Sequence, residues 1–239
     1  MKVRGAAADV SWARHTDEVR QAQRLRYEVF SAELGAHLDG PIAGHDIDRF
    51  DDFCEHLLVR DAVTQDVIGT YRVLTPPQAR RAGGTYTDAE FDLEPLAALR
   101  PSMVELGRSC VHPAHRHGTV ILALWSALAR FMARNGLDTM IGCASIGAGG
   151  AAAGVWKQVS LTHLAPAAWQ VKPHRPLALD DLDLAAAADP PALVGGYLRL
   201  GARVLGPPAW DAQFRAADLP MMMRMADLHP RFLRTSADG

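Results

Sequence analysis

Residues 103–145 constrain the fold more than any other part of the chain. Met103–Val111 is a β-compatible run, stopped by Pro113. His115-Arg116-His117-Gly118-Thr119 leads straight into Val120–Arg134, where Ile121, Leu124, Trp125, Leu128, Phe131 and Met132 form a helical stripe. Asn135-Gly136 is a C-cap signal, and Asp138–Ser145 reads as a second strand. A strand, helix, strand succession of this kind predicts a parallel, right-handed crossover.

The flanks predict antiparallel pairs. Asp9–His15 reads as a short strand. Asp17–Phe30 reads as a helix with Val19, Ala22, Leu25, Val29 and Phe30 on one face, and Ser31–Glu55 as a long loop. His56–Arg60 and Val67–Leu74 form a hairpin. Pro76–Thr87 reads as a loop and Asp88–Leu99 as containing a short helix. A further short helix ends near Gln158, Ala167–Val171 reads as a strand, and Pro173–Pro191 as an insertion. Ala192–Leu200 is a helix, and Arg203–Leu205 and Leu219–Met225 are closing strands. The expected class is α/β: a mixed twisted sheet flanked by helices. One domain spans 1–239, with an insertion at about 147–191 and a frayed tail at about 234–239.

Composition removes several functions. A chain of 239 residues, 49% apolar and 22% charged, is long enough and apolar enough for a full core. A net charge of −2 argues against a nucleic-acid binder. Cys54, Cys110 and Cys143 form no CxxC pair, and Met1–Trp12 has no apolar signal core, so a cytoplasmic, reducing setting is expected. The apolar stretch Thr119–Ala133 is too short to span a bilayer and carries Arg130. His112, His115 and His117 lack helical metal-ligand spacing, so no metal is expected. Without a Gly-x-Ser-x-Gly elbow, no covalent acyl-enzyme is expected.

Two constellations carry chemistry. In the first, strand Met103–Val111 feeds a glycine turn and a helix start. There, free N–H groups and the helix dipole favour an anion; an ordinary strand-to-helix turn is the competing reading. The second comprises Arg26 and Phe30 at i,i+4, then Asp46-x-Asp48-x-x-Asp51, Gly69-x-x-Arg72 and Glu105-x-x-Arg108. Glu105 sits mid-strand among apolar neighbours, where a carboxylate must find a partner or shift its pKa. Either outcome suits a general base, and an ion pair with Arg72 or Arg108 is the structural alternative. Arg26, Asp48, Asp51, Arg72 and Arg108 suit a mixed-sign clamp for an amino acid. They equally suit an internal salt-bridge network.

The first constellation resembles the central strand and phosphate loop of GNAT acyltransferases. The usual Gln/Arg-x-x-Gly-x-Gly/Ala reads here as His115-Arg116-His117-Gly118-Thr119-Val120. That departure leans toward the single phosphodiester of an acyl carrier protein over the pyrophosphate of coenzyme A. The four ordered blocks of the second resemble acyl-homoserine-lactone synthases. A fuller resemblance, over about residues 20–225, is to the L-ornithine N-α-acyltransferases of ornithine-lipid synthesis. It rests on Asp51-Asp52-Phe53-Cys54-Glu55-His56, Gly69–Leu74, Glu105–Pro113, Leu124-Trp125, Gly142–Ser145 and Tyr197–Ala202.

That resemblance implies transfer of a (3-hydroxy)fatty acyl group from acyl carrier protein to the α-amine of L-ornithine. Glu105 would be the base, and Tyr197 or Ser145 would protonate the leaving thiolate. Their structural alternatives are a packed tyrosine and a helix-capping serine. Arg26, Phe30, Asp48, Asp51, Arg72 and Arg108 would hold the amino acid. Cys110, Val111, Arg116, His117, Gly118 and Thr119 would hold the phosphopantetheine, which arrives as substrate, so no cofactor is expected. An amphiphilic product implies peripheral contact with the inner membrane. The alternatives are a lactone synthase, another N-acyl amino acid synthase, or a non-catalytic acyl-carrier-binding or haemolysin-like protein.

Overall fold

A computed structural model of the chain describes residues 8–147, 150–179 and 188–228. The expected frayed tail and residues 180–187 of the insertion lie outside the described residues. By its internal contacts the chain forms two units. Among the described residues, the first comprises 8–82 and 106–137, and the second comprises 83–105 and those from 138 to 228. The strand at Met103–Val111 contributes to both.

In the first unit, β1 (Ala8–Trp12) pairs antiparallel with β2 (Glu55–Asp61), and β2 with β3 (Val67–Leu74). The latter half of Met103–Val111 lies beside β3. Two helices cover this sheet: α1 (Thr16–Leu34) packs on β2 and β3, and a later helix, Thr119–Arg134, packs on β1, β2 and β3. Strand alternation assigns their faces. Gly69 lies so close to the later helix that an added Cβ would stand 2.5 Å from Val120 Cγ1. Arg72, three residues on and therefore on the other face, reaches the aspartates that hold Arg26 of α1. α1 ends at Gly35, whose φ of +61° is the left-handed conformation of a glycine C-cap.

The Pro76–Thr87 stretch, expected as a loop, ends the first unit with helix α2 (Pro76–Ala82) and opens the second with α3 (Tyr86–Glu90). Prolines in a helix's first turn need no N–H donor, so Pro76-Pro77 starts α2 without penalty. Thr85 and Asp88 form a capping box that starts α3. β4 (Phe91–Asp92) and a 3₁₀ segment, Glu94–Ser102, stand where a short helix was expected up to Leu99. β5 (Met103–Val111) and α4 (Thr119–Arg134) follow as expected.

β6 (Thr139–Gly147) pairs parallel with β5 over Met103, Val104 and Glu105. α5 (Gly150–Thr162) follows. Ala167–Trp169 is a 3₁₀ turn rather than a strand, entered through Pro166; β7 (Lys172–Pro173) then pairs with β4. The closing elements are α6 (Ala192–Arg199), β8 (Arg203–Val204), β9 (Ala209–Asp211) and β10 (Ala216–Arg224). β10 runs antiparallel to β6, β8 and β9.

The second unit's sheet has two distinct faces. Ile146, Ala217, Leu219 and Met221 point toward α5 and α6, in one apolar cluster with Val155 and Val194. Met103, Ile141 and Met222 point the other way and pack with Phe91, Leu93 and Leu96. Glu105, Cys143, Ser145 and Asp218 share this second face by alternation.

Gly69→Ala should lower stability by about 1–3 kcal/mol, because Val120 is β-branched and cannot swing aside. Thermal unfolding measures the loss, and a Gly69→Ala/Val120→Ala double variant should recover part of it.

Candidate active site

The acidic run and the three arginines come together in the first unit as a closed ring of alternating charge. Arg26 Nε donates to Asp46 Oδ2 at 2.7 Å, and its two terminal nitrogens clamp both oxygens of Asp51 at 2.9 Å. Arg72 Nη1 donates to Asp48 Oδ1 at 2.6 Å and to Asp51 Oδ1 at 3.2 Å. Arg108 closes the circuit, with Nε on Asp46 Oδ2 at 3.1 Å and Nη2 on Asp48 Oδ2 at 2.9 Å. Each arginine bridges two aspartates and each aspartate bridges two arginines, so the six charges cancel.

Local structure explains the assembly. Asp48 accepts from Phe50 N, and Asp51 from Asp48 N, which folds the run into a tight turn with its carboxylates converging. Arg108 has φ +52°, a left-handed conformation uncommon outside glycine. The internal network expected as one reading of these residues is present. Arg26 is fully buried, while Asp48 keeps 15% of its side chain exposed. Phe50 lies under the guanidinium of Arg49, at 4.3 Å. Asp46 is as much a member of the ring as any residue chosen from sequence as a substrate-binding candidate.

Charge states follow from this packing. Burial pushes the Asp48 carboxyl up, but Arg72 and Arg108 outweigh it and hold it below its ordinary 3.8. At Asp51 burial is likewise overcome, chiefly by Arg26, and the carboxyl lies far below that value. His56 donates from Nε2 to Asp51 O at 3.1 Å, and burial holds it below its ordinary 6.5.

Glu105 is held in the second unit. Its Oε1 accepts from Thr87 N and Thr87 Oγ1, both at 2.6 Å, and its Oε2 accepts from Tyr86 N at 2.9 Å. Those N–H groups belong to the first turn of α3, where no intrahelical acceptor exists. Glu105 is 5% exposed and stands at the last paired position of the β5–β6 ladder. Sequence reading missed Thr87 and Tyr86 because they fell in an apparent loop; the Thr85-x-x-Asp88 capping pattern was the available signal.

Ser145, opposite Asp218 in the β6–β10 ladder, shares Glu105's face of the sheet. Tyr197 packs from α6 into the apolar cluster on the opposite face. Cys110 and Phe30 meet in the first unit in an apolar cluster with Leu25, Val29 and Val67, and burial pushes the Cys110 thiol up to about 12.

In the phosphate-loop segment, Gly118 has φ +86° and precedes α4 with no side-chain cap. Thr119 and His117 are exposed, and Val111 is half-buried. Arg116 is committed on the surface: its Nε donates to Val111 O at 3.0 Å and its Nη2 pairs with Glu33.

The Acetyltransferase (GNAT) domain family matches residues 25–126. The L-ornithine N(alpha)-acyltransferase of Rhodobacter capsulatus is 36% identical, across 98% of this chain and 99% of that protein. This chain belongs to the L-ornithine N(alpha)-acyltransferase family. The Brucella abortus member is 34% identical, across 94% of this chain and 87% of its own. The protein is therefore an acyltransferase of the GNAT fold.

Solved structures agree on that fold. A CoA-dependent acyl-homoserine lactone synthase, BjaI, with SAM and isopentyl-CoA, gives a TM-score of 0.58 at 17% identity, covering 97% of this chain and 88% of that one. FeeM, an N-acyl amino acid synthase from uncultured soil microbes, gives 0.58 at 13%, covering 92% and 94%.

The ring sets the acid stability of this acyltransferase. Asp48 and Asp51 have folded pKa values below their unfolded ones, so their contribution is complete above about pH 4 and is lost as pH falls toward the folded values. His56 is also depressed, so stability should begin to fall below about pH 6.5. Denaturant unfolding across pH should show both steps, with His56→Gln removing the upper one. Arg26→Met, which leaves Asp46 and Asp51 buried and short of a cation, should cost about 3–5 kcal/mol at pH 7.

Proposed function

We propose that this acyltransferase moves a (3-hydroxy)fatty acyl group from the phosphopantetheine thioester of an acyl carrier protein to the α-amine of L-ornithine. The names of relatives matching nearly the whole chain support ornithine as the acceptor. The observation that carries the chemistry is the anchoring of Glu105. Donors on both carboxylate oxygens hold the group in one orientation at the sheet, as a base that must meet one proton requires.

In the proposed reaction, Glu105 takes a proton from the α-ammonium, directly or through one water. The amine attacks the thioester carbonyl, the C–N bond forms and the C–S bond breaks. The nitrogen's second proton passes to the departing thiolate, completing the amide and the thiol, and for that relay Ser145 is favoured over Tyr197 because it shares Glu105's sheet face. The products are lyso-ornithine lipid and free carrier thiol. The uncapped start of α4, with Gly118 and Thr119, is the phosphate-binding element of this reading, with Cys110, Val111, Arg116 and His117 around it. This reading keeps Arg26, Phe30, Asp48, Asp51, Arg72 and Arg108 as the residues that hold the amino acid, and among the charged ones Asp48 is the most exposed.

Among the described residues no helix is long and apolar enough to cross a membrane. The reading adds a cytoplasmic enzyme with peripheral, salt-released membrane contact.

Release of free thiol from acyl carrier thioester plus ornithine tests the activity; no release would leave a carrier-binding protein. Glu105→Gln should cut turnover by about a hundredfold or more and flatten the acidic limb of the pH–rate profile. A residual rate within about threefold of wild type, under about 1 kcal/mol, would remove Glu105 from the mechanism. Gly118→Ala places a side chain at φ +86° and should raise KM for the acyl carrier more than KM for ornithine. An equal rise in both would remove the loop from phosphate binding.

A further inference from the structure

The face of the second unit's sheet that carries Glu105 holds more acid than acyl transfer to a simple amine needs. Glu90, the last residue of α3, and Asp211, the last residue of β9, are 5% and 2% exposed. Asp211 Oδ1 is occupied by the N–H groups of Gln213 and Phe214, and its Oδ2 accepts from the Tyr86 hydroxyl. Glu90 differs. Its side chain is only 7% exposed, its Oε1 reaches the largely exposed Arg175 at 3.6 Å, and its Oε2 is buried with no hydrogen-bond donor. A buried carboxylate oxygen without a donor is costly, and a second carboxylate nearby worsens the cost. Burial, and then the charge of Asp211, push the Glu90 carboxyl up.

Tyr86 ties this pair to Glu105. Its backbone N–H holds Glu105 Oε2 while its hydroxyl holds Asp211 Oδ2. One tyrosine therefore spans the base and the acid pair, roughly as the carbon chain of a diamino acid spans its two amines. A primary ammonium offers three donors and one positive charge, which is what two neighbouring carboxylates with an unfilled oxygen lack.

We propose that Glu90 and Asp211 receive the side-chain ammonium of the amino-acid substrate, with Glu105 serving its α-amine. This rests on the ornithine reading above and names the residues that select a basic amino acid over a neutral one. Glu90 is a specificity residue and takes no part in proton transfer to or from the α-amine.

The experiment compares L-ornithine with L-norvaline, which lacks the side-chain amine, by thiol release from acyl carrier thioester. Wild type should favour ornithine. Glu90→Gln should lower kcat/KM for ornithine about tenfold or more, mainly through KM, and leave norvaline and the carrier KM nearly unchanged. A merely structural role would lower both acceptors together, and an unchanged ornithine-to-norvaline ratio in a folded variant overturns the assignment. Should Glu90→Gln not fold, wild type alone still decides: equal use of norvaline and ornithine overturns it, and strong preference for ornithine, lost in Asp211→Asn, supports it. Wild type that releases no thiol with ornithine refutes the acyl-transfer reading itself. Wild type that acylates ornithine while the variant ratio stays unchanged refutes this inference alone.

Discussion

Charge neutralisation in the Arg26–Asp46–Arg108–Asp48–Arg72–Asp51 ring is the interaction on which the first unit depends. Residues 35–50 contain no helix or strand, yet Asp46 and Asp48 at their end are fastened to α1, β3 and β5. A chain of this length without regular structure would ordinarily be mobile. Here each bond is charge-assisted and each charge is matched twice, so losing any member leaves two buried opposites with only one of their two counter-ions. Bringing six ionised groups out of water is costly, and the reward is specificity of position more than net stability.

The ring also bears on β5. Arg108 adopts a left-handed conformation at a strand position, a state that persists only where the surroundings hold it. Its two bonds to Asp46 and Asp48 do the holding. Three residues earlier on the same strand, Glu105 is fixed by the first turn of α3. A single strand thus carries a residue of structural electrostatics, locked by the carboxylates it donates to, and the candidate base, locked by the donors it accepts from. The helix that locks Glu105 is only five residues long and is defined by its own capping box, so a weak local signal controls the orientation of the central carboxylate.

The two faces of the second unit's sheet divide the labour in a similar way. One is filled by Val155, Val194, Leu219 and Met221 and is core. The other begins as core at Met103, Ile141 and Met222 and becomes polar at Glu105, Ser145, Asp211 and Asp218. The Met221-Met222-Met223 run straddles these faces, because successive strand residues point in opposite directions.

The sequence by itself determined the crossover at residues 103–147, the hairpin, and the membership of the acidic and arginine blocks, because periodicity and caps are local properties of the chain. It also carried the family resemblance, through the ordered motifs of the chain itself. Tertiary structure alone decided how those charges are used. Whether Arg26 meets substrate or aspartate depends on what lies twenty and twenty-five residues away, and no local pattern encodes that distance. The same holds for Glu90 and Asp211, which lie on a short helix and a short strand far apart in sequence. Tyr86 reaches from one end of that span to the other, and only a folded sheet brings its hydroxyl to Asp211.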